Sequence, residues 1–362
     1  MQPPFPTAPE LLDDLPRSVL RHSKEYSPER QSRNWNKPVL HLYGKTGLQV
    51  VVQVKTPQGR PTAYWPKPEL LEETFWFMGS GIKEAVGFMW SGKLVTEPKA
   101  GVLPAVADEH WWKTVRAVPS QYVQTDGGTE RFLFYEALAV QAPVVTGSVA
   151  ADKLVIKNAH TAASGQVVII VNDGEKRHFK VVPAVPAGGQ VEIGKAEFDQ
   201  ADGEAEKILA ACRAQWESFG VTAAEAHAIV DTWKPDLLKR VGFLVVARLP
   251  TELYDKIFPL TIAPKPDELV RAGAIFDALP GDDGRLDWLP ALKAQMRSWV
   301  KDLTNEDFDV RKQTAARFLR HGDLVRPFLQ ELAKSDDAEI RNSAAGLLAQ
   351  LKPATLELPW NR

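Results

Sequence analysis

A chain of 362 residues exceeds the usual size of one domain, so two or three compact units are expected, each long enough to bury its own core. Its 44 Lys and Arg against 46 Asp and Glu leave a formal charge of −2, which supplies no global field toward phosphate backbones or anionic membranes and argues against a nucleic-acid partner. The single cysteine, Cys212, excludes an internal disulfide framework and a cysteine-based zinc site, because both need several thiols brought together.

No run approaches the ~18 apolar residues of a membrane span, and the longest, such as Val167 to Val171, have strand length; a soluble chain with no span is expected. The start, Met1-Gln2-Pro3-Pro4-Phe5-Pro6, lacks the basic region and apolar run of a secretory signal. That reads either as a cytoplasmic protein or as a mature form with its signal removed.

Residues 1–35, rich in proline and charge, read as an extended N-terminal arm. From Pro38 the period becomes two: Leu48, Val50, Val52 and Val54 alternate with Gln49, Val51, Gln53 and Lys55, the pattern of a strand buried mainly on one face. Thr56-Pro57-Gln58-Gly59 suits a type I turn and predicts a hairpin whose return begins at Thr62 to Trp65. Arg131-Phe132-Leu133-Phe134-Tyr135, apolar on both faces after its first residue, predicts a strand covered on both sides. Residues 36–145 together read as a β-rich, sandwich-like domain.

Further short strands are predicted at Leu154 to Ile156, Val167 to Val171, Phe179 to Val182 and Val191 to Ile193, separated by the turn chemistry of Asn172-Asp173-Gly174 and Gly188-Gly189. Ala205 to Trp216 and Ala223 to Trp233 then carry apolar residues at helical spacing, with Thr222 placed to cap the second helix. Strand-like runs return at Phe243 to Leu249 and Ile257 to Ile262, so the helices look inserted and residues 146–280 read as an α+β domain.

Self-comparison shows an internal repeat: Asp309-Val310-Arg311 is matched by Glu339-Ile340-Arg341, Ala315 by Ala345 and Phe318 by Leu348, with Leu324 to Leu332 supplying a helix between the copies. Each copy has too little core alone and must stack on its neighbour and on the preceding domain. Residues 303–352 resemble short HEAT-like repeats, within a helical region spanning 286–352 and followed by a tail at 353–362. The resemblance implies helical hairpins that dock a protein partner; the other reading is a helical cap that closes the neighbouring domain. Arg311 and Arg341 are the candidate binding residues here, although arginines so placed more commonly satisfy helix ends or acidic neighbours.

A second resemblance rests on Trp112-Lys113-Thr114-Val115-Arg116, Glu130-Arg131-Phe132-Leu133-Phe134-Tyr135, Ala223-Ala224-Glu225-Ala226-His227 and Asp255-Lys256-Ile257-Phe258-Pro259-Leu260-Thr261-Ile262. These segments look like parts of an uncharacterised family of bacterial proteins whose members tend to be exported to the cell envelope. The likeness covers about residues 38–275, implies a periplasmic or extracytoplasmic location and carries no active-site motif.

Chemistry-bearing motifs are sparse. Gly44-Lys45-Thr46 lacks the glycine of a phosphate-binding loop, its place being taken by Val39, and Gly127-Gly128 and Gly188-Gly189 lack the setting of a dinucleotide fingerprint. His227 and Asp231 share a helix face, yet no H-E-x-x-H cluster accompanies them, and Asp108-Glu109-His110 reads as a charged loop ahead of Trp111-Trp112. No G-x-S-x-G elbow is present, Cys212 sits in a helical pattern, and Glu72-Glu73 and Asp282-Asp283 are only sequence neighbours. No catalytic, cofactor-binding or metal-binding residue is assigned, and no cofactor is implied. Tyr64, Trp65, Trp76, Trp90, Trp111 and Trp112 concentrate in the first β domain and serve either as core or as flat faces for a sugar or a partner; of these, Tyr64, Trp65, Trp111 and Trp112 are taken as candidate binding residues. The expected protein is thus a non-enzymatic structural or interaction protein of the bacterial cell envelope, the alternative being a carbohydrate-binding or carbohydrate-active protein using the aromatic-rich β domain.

Overall fold

A computed structural model describes residues 32–35, 38–57, 59–77, 80–98, 102–108, 110–140, 144–149, 152–199, 204–277 and 285–351. The N-terminal arm up to residue 31, Gln58, Glu109, Asp282-Asp283 and the C-terminal tail lie outside the described residues. The fold is mixed α+β, with several antiparallel sheets and with helices mostly toward the C-terminal end. It divides into two compact units: one from 1–142, 220–232 and 250–273, the other from 143–219, 233–249 and 274–362. No helix among the described residues is long and apolar enough to cross a membrane.

In the first unit, β3 (Gln49–Lys55) turns Val50, Val52 and Val54 inward, as its alternation predicts, while Leu48, read as part of the same face, precedes the strand and is exposed. It lies between β6 (Ser80–Val95) and β16 (Leu260–Ala263), and the sheet continues through β7 (Tyr122–Thr125) to β8 (Gly128–Glu130), with β5 (Glu69–Phe77) also paired to β6. A second sheet gathers β1 (Ser32–Trp35), β2 (Val39–Leu40) and β4 (Gly59–Trp65) around β9 (Leu133–Val140). Phe132, Leu133, Phe134 and Tyr135 are all buried, as a strand covered on both faces requires.

The structure departs from two sequence expectations in this unit. The turn after β3 forms, with Gly59 N donating to Thr56 O at 3.1 Å, but the strand that follows is not its hairpin partner. Both edges of β3 are taken by β6 and β16, so β4 crosses to the other sheet and pairs with β9, with its register shifting between Pro61 and Ala63. A proline has no N–H to give a ladder, and a bulge is where a sheet tolerates one. The run Ile257 to Ile262 is likewise two elements, helix α5 (Thr251–Ile257) and strand β16, with Phe258 and Pro259 between them.

The second unit has two sheets. One orders β10 (Val145–Val149), β11 (Lys153–Asn158) and β14 (Gln190–Gly194); the other orders β13 (Arg177–Val182), β12 (Val167–Asn172), β15 (Gly242–Leu249) and β17 (Gly273–Asp277). Every residue of β12 is buried. Val167, Ile169 and Val171 enter a contiguous core with Phe243, Val245, Trp288, Met296, Phe318, Leu329 and Leu347, so the C-terminal helices share one apolar interior with these strands. Helix α3 (Ala205–Ser218) is fastened to this sheet by Gln215, whose side-chain amide donates to Gln166 O and Val246 O, each at 2.8 Å.

One turn before Gln215, Cys212 is buried, and burial pushes its thiol up to about 12. Because the thiolate is the reacting species, the native protein at pH 8 is expected to react with an aromatic disulfide reagent about a hundredfold or more slowly than the denatured chain. Equal rates before and after denaturation would contradict the buried position.

Candidate functional site

The candidate aromatic residues of the first unit meet beside helix α1 (Trp112–Arg116). Trp65, at the end of β4, stacks on Trp112 with ring centroids 5.9 Å apart, and Trp111 sets its plane at 89° to Trp112. Phe132 and Phe134 of the β9 segment close the cluster at 5.5 Å from Trp112 and 5.4 Å from Trp111. Trp112 is only 8% exposed, Trp111 and Trp65 are half-buried, and Tyr64 points instead at Phe88, 6.0 Å away. His110 lies flat on Trp111 and accepts from Trp112 N, while Asp108 pairs with Lys113.

What anchors the cluster is a residue that its sequence context does not advertise. Glu130 is completely buried, and its carboxylate accepts from Arg116 Nη2 at 2.6 Å, Arg116 Nε at 3.0 Å, Trp65 Nε1 at 3.2 Å and Arg131 N at 2.9 Å. Arg116 completes the network by donating to Pro104 O at 2.9 Å and by lying over the Trp112 ring. With these donors on its two oxygens, the carboxylate is engaged inside the fold and has little acceptor capacity left for a ligand. The only hint in the sequence is an acidic residue placed directly before a strand that is apolar on both faces.

Nearby, a shallow pocket of about 300 Å³ opens beside Lys67, Glu69, Ser91 and Asp126. Trp90 underlies it at 1% exposure with its indole N–H donated to Pro66 O at 2.7 Å, so it offers the pocket no open ring face. At the two-residue loop joining β7 to β8, Gly127 comes so close to Lys67 that an added Cβ would fall 2.1 Å from its carbonyl oxygen.

Arg311 and Arg341 occupy equivalent places in the second unit. Helices α7 (Phe308–Arg320) and α9 (Ala338–Gln350) start at Asp307 and Asp337, whose side chains cap Asp309 N at 2.7 Å and Glu339 N at 2.8 Å. Arg311 Nη1 donates to the carbonyls of Asn305 and Glu306 at 2.6 and 2.9 Å; Arg341 Nη1 donates to those of Ser335 and Asp336 at 2.6 and 3.3 Å. Both guanidinium groups therefore close the loop that leads into their own helix. The copies differ at Phe308, opposite Ala338 in the repeat: its side chain is 65% exposed, the most exposed large apolar group among the described residues, and lies beneath the Arg311 guanidinium at 5.6 Å.

The remaining candidates do not assemble. His227 is exposed and hydrogen-bonds through Nδ1 to Ala223 O at 2.9 Å, and no group of three or more metal-ligating side chains gathers among the described residues. Glu225 is engaged in a reciprocal cap with Thr222, taking its backbone N–H at 2.7 Å while Thr222 Oγ1 takes Glu225 N at 3.2 Å. No protein-family model, curated protein or solved structure matches this chain.

Proposed function

We propose that this is a non-enzymatic interaction protein that docks a protein partner through the start of helix α7. The carrying observation is Phe308, an exposed aromatic ring held under an arginine that is itself fixed by two backbone carbonyls. Preorganised aromatic and arginine side chains dominate binding energy at protein interfaces because they bury large area at small entropic cost. In this reading the helices are short HEAT-like repeats, supported by the matching caps and arginine bonds thirty residues apart. The first unit is a sandwich-like scaffold, supported by Phe88 of one sheet meeting Tyr64 and Tyr135 of the other. Location in the bacterial cell envelope rests on the family resemblance alone. The carbohydrate reading has weaker support, since Trp65 and Trp112 cover each other's faces.

A photo-crosslinking aromatic amino acid placed at Phe308 in the native cell tests the proposal, with the same group at exposed Ala338 as the matched control. One discrete protein adduct is expected from position 308 and none from 338. The same adducts at both positions, or none at 308, would overturn it.

A further inference from the structure

The other end of helix α7 carries an unassigned pocket. About 280 Å³ in volume, it is lined by Gln295, Trp299, Arg317, Arg320 and His321. No carboxylate lines it, and neither arginine has an acidic partner or a hydrogen bond among the described residues. That sets them apart from Arg116, Arg271, Arg285 and Arg326, which are paired with Glu130, Asp255 and, for the last two, Asp323, and from Arg311 and Arg341, which are spent on carbonyls.

The pocket wall is built of packed rings. Trp299 stacks on His321 at 5.9 Å and sets its edge against fully buried Phe318 at 5.2 Å, while the turn at Gly322, with φ +56°, fixes the chain leaving His321. Cations at a helix C-terminus gain something from the helix dipole, but the repeat does not require them: the second copy has Leu347, Gln350 and Leu351 at the positions of Arg317, Arg320 and His321. Gln295 and Trp299 complete the lining, so the permanently charged side chains around the pocket are both cationic.

We propose that this pocket binds a phosphoryl dianion, as free phosphate or as a phosphate monoester. Two guanidinium forks carry two positive charges and several directed N–H groups, which a tetrahedral group with three terminal oxygens can satisfy together. A carboxylate, with two oxygens and one charge, would leave one fork unmatched. Nothing in this assignment depends on Phe308.

The test is isothermal titration of the full chain at constant ionic strength with inorganic phosphate, glycerol 3-phosphate and a phosphoserine peptide, repeated on Arg317→Gln/Arg320→Gln and on Arg317→Lys/Arg320→Lys. Saturable binding is expected for at least one of the three ligands, weakened tenfold or more in the glutamine variant and less in the lysine variant. The ligand that binds most tightly identifies the source as free phosphate, a small ester or a phosphorylated protein. Because both arginines are exposed, the unliganded variants are expected to melt as the parent does, and the ligand that binds should raise the melting temperature of the parent most, of the lysine variant less and of the glutamine variant least. No saturable binding of any of the three, or equal binding by the glutamine variant, overturns the proposal.

Discussion

Replacing Glu130 by glutamine is expected to destabilise the first unit by about 3–5 kcal/mol, the usual cost of removing one partner from a buried ion pair. The Glu130 side chain is 0% exposed and that of Arg116 16%, so the substitution leaves a largely buried guanidinium without a counter-ion. It also keeps only one acceptor oxygen where Trp65 Nε1 and Arg131 N each used one of two, so one of these donors meets an NH2 group instead. Adding Arg116→Met should restore much of the loss, because the unpaired charge, more than the missing attraction, carries the penalty. Denaturant unfolding followed by tryptophan fluorescence gives both numbers; a loss below about 1 kcal/mol for the single variant would mean the pair is solvated. The exposed Lys83–Glu72 pair, 73% and 52% accessible, is the natural contrast and should contribute almost nothing.

A second large effect is expected from acid. His41 is lowered from 6.5 to about 4, chiefly by burial, with Glu225 and the Arg131 carbonyl opposing the shift. Its Nδ1 lies 3.0 Å from Ser120 Oγ, which itself donates to Arg131 O, so Nδ1–H points toward the serine. Between pH 6.5 and 4 the unfolded chain takes up a proton at this position that the folded protein refuses, and stability therefore falls as pH falls. The shift corresponds to about 3 kcal/mol, fully lost only near the folded value. His321 is also lowered by burial, then by Arg320, and adds a slope of the same sign. The measurement is the difference between parent and His41→Gln over pH 4 to 7. The variant should be flatter by about 3 kcal/mol, and parallel curves would remove His41 as the cause.

What the sequence made legible was local. The alternation at Val50, Val52 and Val54, the turn at Thr56 to Gly59 and the Thr222 cap all depend on neighbours within a few positions, and each is present. Partner choice is a different matter. The turn bond between Thr56 and Gly59 says that the chain reverses, not which edge is vacant when it does, and β4 goes to β9 because β3 is already flanked. The apolar run from Ile257 to Ile262 was misleading because a helix end and a short strand abut within it.

The candidate residues divide the same way. Arg311 and Arg341 could be placed by the repeat, and their bonds to preceding carbonyls are what helix-end arginines do. The aromatic cluster could not, since Trp65 meets Trp112 and Glu130 only through folding, and nothing in a run of letters says that a carboxylate will be surrounded by donors. The Arg317, Arg320 and His321 grouping was not singled out, because the repeat does not share it and Trp299 and Gln295 join it from another helix.

The pairing of β3 with β16 has a consequence for the order in which the protein is made. Val54 finds its neighbour Leu260 about 200 residues later in the chain. At ~5–20 residues per second, a ribosome leaves that edge open for roughly 10–40 s after β3 emerges. Nascent chains shorter than this carry an unpaired strand of alternating valines, the kind of edge that recruits strands from other chains. The first unit is thus finished only after most of the second unit's sheet strands have been synthesised, and a holdase chaperone engaged on the emerging chain would have its natural substrate in that interval.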